Sequence, residues 1–499
     1  MARVVVVGAG MGGLAAAARL GAMGHSVVVC EQAGSVGGKV GVFARDGFAF
    51  DTGPSLLTLP AVYRDLFIKT GAPLEQSVDL VQVDPAFRYR FPDGVWLDVP
   101  NAARGRLRLA LEETLGAGAG DDWDNLLGRA AQIWDVTRGP FLESPLGGRR
   151  DLVRLARRGS DVRTVAPWQT LRQLGKRYLR DPRLRMLLDR YATYSGSDPR
   201  RAPAALAVVP YVEQTFGAWH VRGGLRRLAL AVHDRAVERG AVVRTGCDVT
   251  GIVVEGGRVS GVRLRSGDRL DADVVVANAD ATVVYDELVT GHEAARARRR
   301  LARATPSLSG FVLLLALRGR TPGLAHHTVL FPDDYDAEFD AIFGKRAAPV
   351  TDPTVYVSAP DDAALRPDDE HESWFVLVNA PRHSDEAGVH GSIDWTVPGL
   401  SASYADRVLD VMARRGLDVR DRLLWREIRS PADLAAATRA PGGSIYGTSS
   451  NGASAAFLRA ANRGAVPGLF LVGGSAHPGG GLPLVGLSAA IVAQLVGPA

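Results

Sequence analysis

The stretch that decides the fold is Val4-Val5-Val6-Val7-Gly8-Ala9-Gly10-Met11-Gly12-Gly13. Four β-branched residues in a row suit a strand buried on both faces of a parallel sheet. The glycines follow at once in the pattern G-x-G-x-x-G, at Gly8, Gly10 and Gly13. Leu14 to Met23 is rich in alanine and leucine and predicts a helix. Gly24 and His25 end it, and Ser26 to Cys30 is a second apolar strand with Glu31 at its C-terminal end. In such a strand–turn–helix unit Gly8 permits the tight turn, Gly10 lets the backbone approach a pyrophosphate, and Gly13 lets the helix pack close to the strand. The helix start, with Met11 and Gly12, presents unpaired N–H groups to phosphate. Glu31 is placed to accept hydrogen bonds from ribose hydroxyls. The expectation is a dinucleotide site, for FAD or NAD.

Further stretches extend it. Glu31-Gln32-Ala33-Gly34-Ser35-Val36-Gly37-Gly38-Lys39 sets a glycine pair just past the acid, and Phe48-Ala49-Phe50-Asp51-Thr52-Gly53-Pro54 follows. Near the other end, Gly468 to Gly474 reads as a strand ending in a glycine turn at Gly473 and Gly474. Ser475-Ala476-His477-Pro478-Gly479-Gly480-Gly481-Leu482-Pro483 comes next, then an apolar helix from Leu484 to Val496. Pro483 suits a first helical turn, where its missing N–H costs nothing. Residues 468–498 carry no charged side chain, but the density of glycine and proline argues against a continuous membrane helix. In the middle, Trp219 to Leu225 precedes a helix reaching Arg239. Val242 begins a short strand, Val249–Val254 and Val259–Leu264 form a hairpin, and Ala272–Ala277 is a buried strand followed by Asn278-Ala279-Asp280.

Together these residues resemble the bacterial carotenoid desaturases of the phytoene-desaturase type, within the FAD-dependent amine-oxidase superfamily. Two more pieces sharpen the likeness: Arg190-Tyr191-Ala192-Thr193-Tyr194-Ser195-Gly196-Ser197-Asp198-Pro199, similar to a polyene-tunnel segment, and the His477–Gly481 run, similar to a C-terminal signature. The resemblance implies an α/β fold: a Rossmann-like FAD domain built from residues 1–75, 215–300 and 440–499, a mixed-sheet substrate domain from 76–140 and 301–439, and a helical, membrane-facing cap at 141–214. It selects FAD. Gly37, Gly38 and Lys39 would lie along the pyrophosphate and ribityl chain, Asp51 to Pro54 near the isoalloxazine, and Val249 near the adenine. The helix beginning at Gly481-Leu482-Pro483 would point at the flavin pyrimidine ring, where its dipole supports negative charge. Tyr191, Tyr194 and Trp219 would face the substrate, a lipophilic acyclic carotenoid. The implied reaction passes a hydride from an allylic carbon to flavin N5, with Asp51 and His477 as candidates for handling the proton. Within the family the alternatives are a hydroxycarotenoid 3,4-desaturase, which the run Tyr446–Gly452 also suggests, and an oxidase, isomerase or saturase. A non-catalytic isoprenoid escort protein on the same scaffold is the reading from another class.

Composition narrows the rest. The 499 residues are 46% hydrophobic and 23% charged, with a net charge of +5 and only two cysteines, Cys30 and Cys247. That excludes a disulfide framework and suits a reducing compartment. The N-terminal apolar run is too short for a signal peptide, so a cytoplasmic location is expected. No apolar run approaches the ~18–20 residues that span a bilayer. From Arg149 to Arg190, 13 Arg or Lys face four Asp, with Trp168, Tyr178 and several leucines interleaved. Such a cationic amphipathic surface suits anionic lipid, hence peripheral attachment to the inner face of the cell membrane. No recognition motif accompanies the charge, so nucleic acid is not expected. No metal motif is visible: adjacent His326 and His327 should point apart. Asp361 to Glu372 is expected to be a solvated acidic loop.

Overall fold

In the computed structural model, residues 1–146, 159–452 and 455–499 are described. The opening strand, β1 (Arg3–Val7), leads through the glycine turn into α1 (Met11–Ala22) and β2 (Ser26–Cys30). Far along the chain come α2 (Arg226–Glu238), β3 (Val242–Arg244) and β4 (Val274–Ala277), and near the end β5 (Leu469–Leu471) and α3 (Leu482–Val496). The five strands make one parallel sheet in the order β3-β2-β1-β4-β5. Val4 pairs with Val27 on one side and Val274 on the other, which explains its unbroken β-branched run: β1 is central and covered on both faces. The expected helix starts earlier than Leu14, because Gly12 and Gly13 are already helical. Ala15 to Ala18 are at most 1% exposed, and these small side chains let α1 press on the sheet while touching α2 and α3.

A second sheet has seven strands, ordered 423–429, 309–318, 371–380, 355–358, 327–330, 87–90 and 96–99. All neighbours are antiparallel except 327–330 with 87–90, so the sheet is mixed. Strand Ser309–Arg318 is apolar on both faces because both are covered. Phe311, Leu313, Leu315 and Leu317 join a cluster with Tyr404, Val408 and Met412 of the helix Leu400–Arg414, while Val312, Leu314 and Ala316 pack on Phe48 and Phe50. Strands 87–90, 96–99 and 423–429 were not foreseen. In Phe87-Arg88-Tyr89-Arg90 alternate arginines dilute the apolar signal.

Helices Ala119–Thr137, Leu171–Tyr178 and Pro182–Arg190 form a layer that shares one apolar core with strands 87–90 and 96–99. Thr170 starts the second with a capping box to Gln173. The part of the basic stretch from Arg149 to Arg158 lies outside the described residues.

Two local expectations are corrected. Asp361–Glu372 is not simply a solvated loop: Asp362 is buried and accepts from His220 Nε2 at 2.8 Å and from the backbone N–H of Gly223 and Ala364, while His371 and Glu372 open a strand. His326 and His327 do not splay apart. Their rings sit 4.4 Å from each other, because only His327 belongs to a strand.

Candidate active site

Because all five strands run the same way, their C-terminal ends open on one edge, the place where parallel α/β sheets hold ligands. Gly8 follows β1, Glu31 follows β2, Asn278 follows β4, and Gly473 lies just beyond β5. Three distant parts of the chain therefore meet at one crevice. Gly8 adopts φ +95°, and a side chain there would come within 2.7 Å of the Asn278 carbonyl oxygen. At Gly13 the added carbon would lie 2.1 Å from the Gly8 oxygen, so the turn and helix can meet only through glycine. Glu31 is buried, and its two carboxylate oxygens accept from the N–H of Ala9 (2.7 Å) and of Ala33 (2.8 Å). Each oxygen keeps a further lone pair for a hydroxyl.

The second glycine pair is pinned onto the first loop. Gly37 bridges Gly10 in parallel fashion and donates to the Ala9 carbonyl at 2.7 Å. Lys39 keeps exposed surface although protein surrounds its ammonium, which donates to the carbonyls of Ser444 (3.0 Å) and Ile445 (2.8 Å). Desolvation lowers its pKa, against the pull of Asp280. Gly53 lies against Lys39, where any side chain would run into the Lys39 carbonyl oxygen, and Thr52 donates its N–H to Gly41. On the far side Gly473 fits against the Asn278 amide, and Asn278 donates to Val472 at 3.0 Å. Arg459, buried, ties the loop together by donating to the carbonyls of Gly474, Tyr446 and Thr448. Desolvation brings its pKa down to about 10.

Both α1 and α3 begin without a side-chain cap, at Gly10 and Gly481. A side chain at Gly481 would meet nothing within 4 Å, so the start of α3 faces open space. Pro483 stands in its first turn, and Leu482 accepts from the Tyr63 hydroxyl at 2.9 Å. Two uncapped helix starts, a glycine-lined crevice and a buried carboxylate at the end of β2 are the donor and acceptor set of an adenine-dinucleotide site.

The profile of flavin-containing amine oxidoreductases matches residues 11–375. The chain is 33% identical to a 4,4'-diapolycopene oxygenase from Methylomonas sp, over 98% of this chain and 97% of that one. It is 34% identical to a hydroxyneurosporene desaturase of Rubrivivax gelatinosus, over 99% and 92%. The chain belongs to the flavin-containing amine oxidoreductases, in their bacterial carotenoid desaturase branch. It is an FAD oxidoreductase. The fold matches the crystal structure of an oxidoreductase from Methanosarcina mazei with a TM-score of 0.65 at 18% identity, over 99% of this chain and 100% of that one.

In this flavoenzyme the remaining named residues fall as follows. Asp51 accepts from the N–H of Leu225 (2.8 Å) and Arg226 (3.2 Å), so it braces the start of α2. Desolvation pushes its carboxyl up to about 6, against those two bonds. His477 Nε2 lies 2.8 Å from the Phe141 carbonyl and 3.1 Å from that of Ser144, tying the C-terminal loop to the helical layer. Burial takes its pKa down to about 4. Met11 is buried in α1, Gln32 is exposed and near Arg439, and Val249 packs in a cluster with Cys30. Trp219 packs beside the α1 core and donates to Phe216. Tyr191 and Tyr194 donate to Glu213 at 2.6 and 3.0 Å.

Sequence reasoning missed Asn278 as a site residue, and missed Arg459 and Arg226. Asn278 could have been found, since it follows a buried strand at the crevice edge. Arg226 reaches the Val36 and Val40 carbonyls and so fixes the second glycine pair. Nothing local in the sequence marks it or Arg459.

Proposed function

We propose that this flavoenzyme is a desaturase of acyclic carotenoids, introducing C=C bonds into a long polyene. The observation that carries the reading is the meeting of three separated glycine-bearing segments at one crevice, in a chain similar over nearly its whole length to enzymes named for carotenoids. FAD, when bound, supplies the acceptor for the hydride. The residues that would hold it are Gly8 to Gly13, Glu31, Gly37 to Lys39, Thr52 to Pro54, Gly473, Gly474 and Gly481 to Pro483, with Asn278 added. The glycines admit the cofactor by having no side chain in its way. Uncapped N–H groups at the two helix starts meet negative charge. Of the two residues considered for the proton, Asp51 is the one whose carboxyl can gain and lose it near neutrality. His477, held neutral, positions the loop.

We assign residues 141–214 the role of membrane-facing cap, attached to the inner face of the cell membrane. Among the described residues no helix is long and apolar enough to cross a membrane. Trp168 is 66% exposed, and Arg163, Lys176 and Arg177, near it in sequence, are exposed too. Flotation with anionic liposomes tests this: protein left in the soluble fraction refutes attachment. For the reaction, purified protein is incubated with an acyclic carotenoid. The expected result is a yellow flavin spectrum and a product lighter by two hydrogens per step. A colourless protein with unchanged pigment contradicts the proposal.

A further inference from the structure

One buried arginine keeps hydrogen-bond donors that no described residue takes up. Arg190 closes the helix Pro182–Arg190 and is 7% exposed. Its guanidinium lies over the rings of Phe87 (4.8 Å), Tyr194 (5.1 Å), Tyr89 (5.5 Å) and Tyr356 (5.9 Å). Its hydrogen bonds run from Nη1 alone, to Tyr89 (3.2 Å) and Tyr194 (3.1 Å). Among the described residues Nε and Nη2 have no acceptor, and no carboxylate pairs with the guanidinium directly. The nearby acid, Glu213, is taken by the hydroxyls of Tyr191 and Tyr194. Neither Nε nor Nη2 is among the fully buried atoms that lack a partner, so both keep accessible surface.

Partly accessible tyrosines stand beside it. Tyr194, Tyr356 and Tyr446 are enclosed by protein yet each keeps accessible surface. Tyr356 bonds Ser55 at 2.6 Å, one residue past the Asp51–Pro54 turn. Tyr446, whose hydroxyl has no partner among the described residues, backs onto Gly480, where a side chain would come within 2.5 Å of the ring. Tyr446 is also within electrostatic reach of Arg190. The guanidinium thus stands among partly accessible aromatic side chains, two of which, Tyr356 and Tyr446, touch segments that line the flavin crevice.

Aromatic rings gathered around a charged group with two unused donors fit an apolar chain that carries an oxygen near its end. We propose that Arg190, through Nε and Nη2, binds the hydroxyl oxygen of a terminally hydroxylated acyclic carotenoid and so sets that end of the chain beside the flavin. This rests on the desaturase reading and narrows it: the favoured substrate is an end-hydroxylated polyene, desaturated close to that end. The hydroxyneurosporene desaturases among the relatives are named for a hydroxylated compound.

The test compares an acyclic polyene with its end-hydroxylated counterpart, in the same detergent, using flavin-bearing enzyme. Wild type should favour the hydroxylated substrate in kcat/KM by about 10- to 100-fold, as expected for a hydrogen bond to a charged group. Arg190→Met should collapse that ratio towards one, chiefly by raising KM for the hydroxylated substrate. Arg190→Lys, which keeps the charge but not the paired donors, should give an intermediate ratio, and it serves alone if Arg190→Met fails to retain flavin. A purely structural arginine would lower both substrates alike and leave the ratio intact, which overturns the inference. Wild type that turns over both polyenes without preference overturns it too, while leaving the desaturase reading standing. A flavin-bearing wild type that turns over neither polyene overturns both.

Discussion

Asp51 offers a prediction whose size can be worked out. Its carboxyl, ordinarily near 3.8, is pushed up to about 6 by desolvation, even though two backbone N–H groups donate to it. A raised carboxyl pKa means that the folded protein prefers Asp51 protonated. The stability it contributes is therefore fully present below about pH 4 and is lost as pH rises through about 6. At 1.36 kcal/mol for each tenfold change in proton affinity, the loss is about 3 kcal/mol. For a chain of this length that corresponds to roughly 3 °C in Tm. Asp51→Asn cannot ionise, and its Oδ1 can still accept from the start of α2. The assay is thermal unfolding of wild type and Asp51→Asn in parallel from pH 4 to pH 8. The Tm difference should shift by about that amount in favour of the variant as pH rises, with its midpoint between 4 and 6. A difference flat across this range refutes the claim that the carboxyl is buried and desolvated at the foot of α2.

Gly53→Ala should displace the Lys39 backbone, because the new carbon has no room beside the Lys39 carbonyl. The expected outcome is loss of most bound flavin at 450 nm, and full flavin content would contradict the packing. Arg459→Met strips donors from three carbonyls and should destabilise the protein by about 3 kcal/mol or more, read as a drop in Tm. His477→Ala should free the Phe141–Ser144 segment, so limited proteolysis there should quicken severalfold. In wild type the burial of neutral His477, acting against its two carbonyl bonds, contributes stability above pH 6.5 that is lost as pH falls through about 4. Acid should therefore speed cleavage in wild type but not in the variant.

The nucleotide crevice was legible in the sequence because its rules are local. A glycine that must adopt positive φ or admit a close approach stands beside the strand and helix it joins, as Gly8 and Gly13 do. Strands β1 and β4 of the parallel sheet showed as short β-branched runs because they are buried on both faces. What stayed hidden depends on partners far apart in the chain. Asp362 looked like one acid among many in a polar loop, yet it meets His220 across 142 positions. Arg190 looked like part of a basic stretch, and only packing shows the four rings around it. Arg226 and Arg459 act on backbone carbonyls, which leave no trace in side-chain pattern. Strand Phe87–Arg90 was masked because Arg88 points to Asp98 at the sheet edge, so charge interrupts an otherwise apolar run.

The central claim is that three remote glycine-bearing segments hold FAD where a polyene can be stripped of hydride and proton. Mass spectrometry of the pigment formed by purified, flavin-bearing protein from an acyclic carotenoid tests it most directly. The account predicts products lighter by two hydrogens for each new double bond. Pigment of unchanged mass, or heavier by one oxygen with no hydrogen lost, would contradict it.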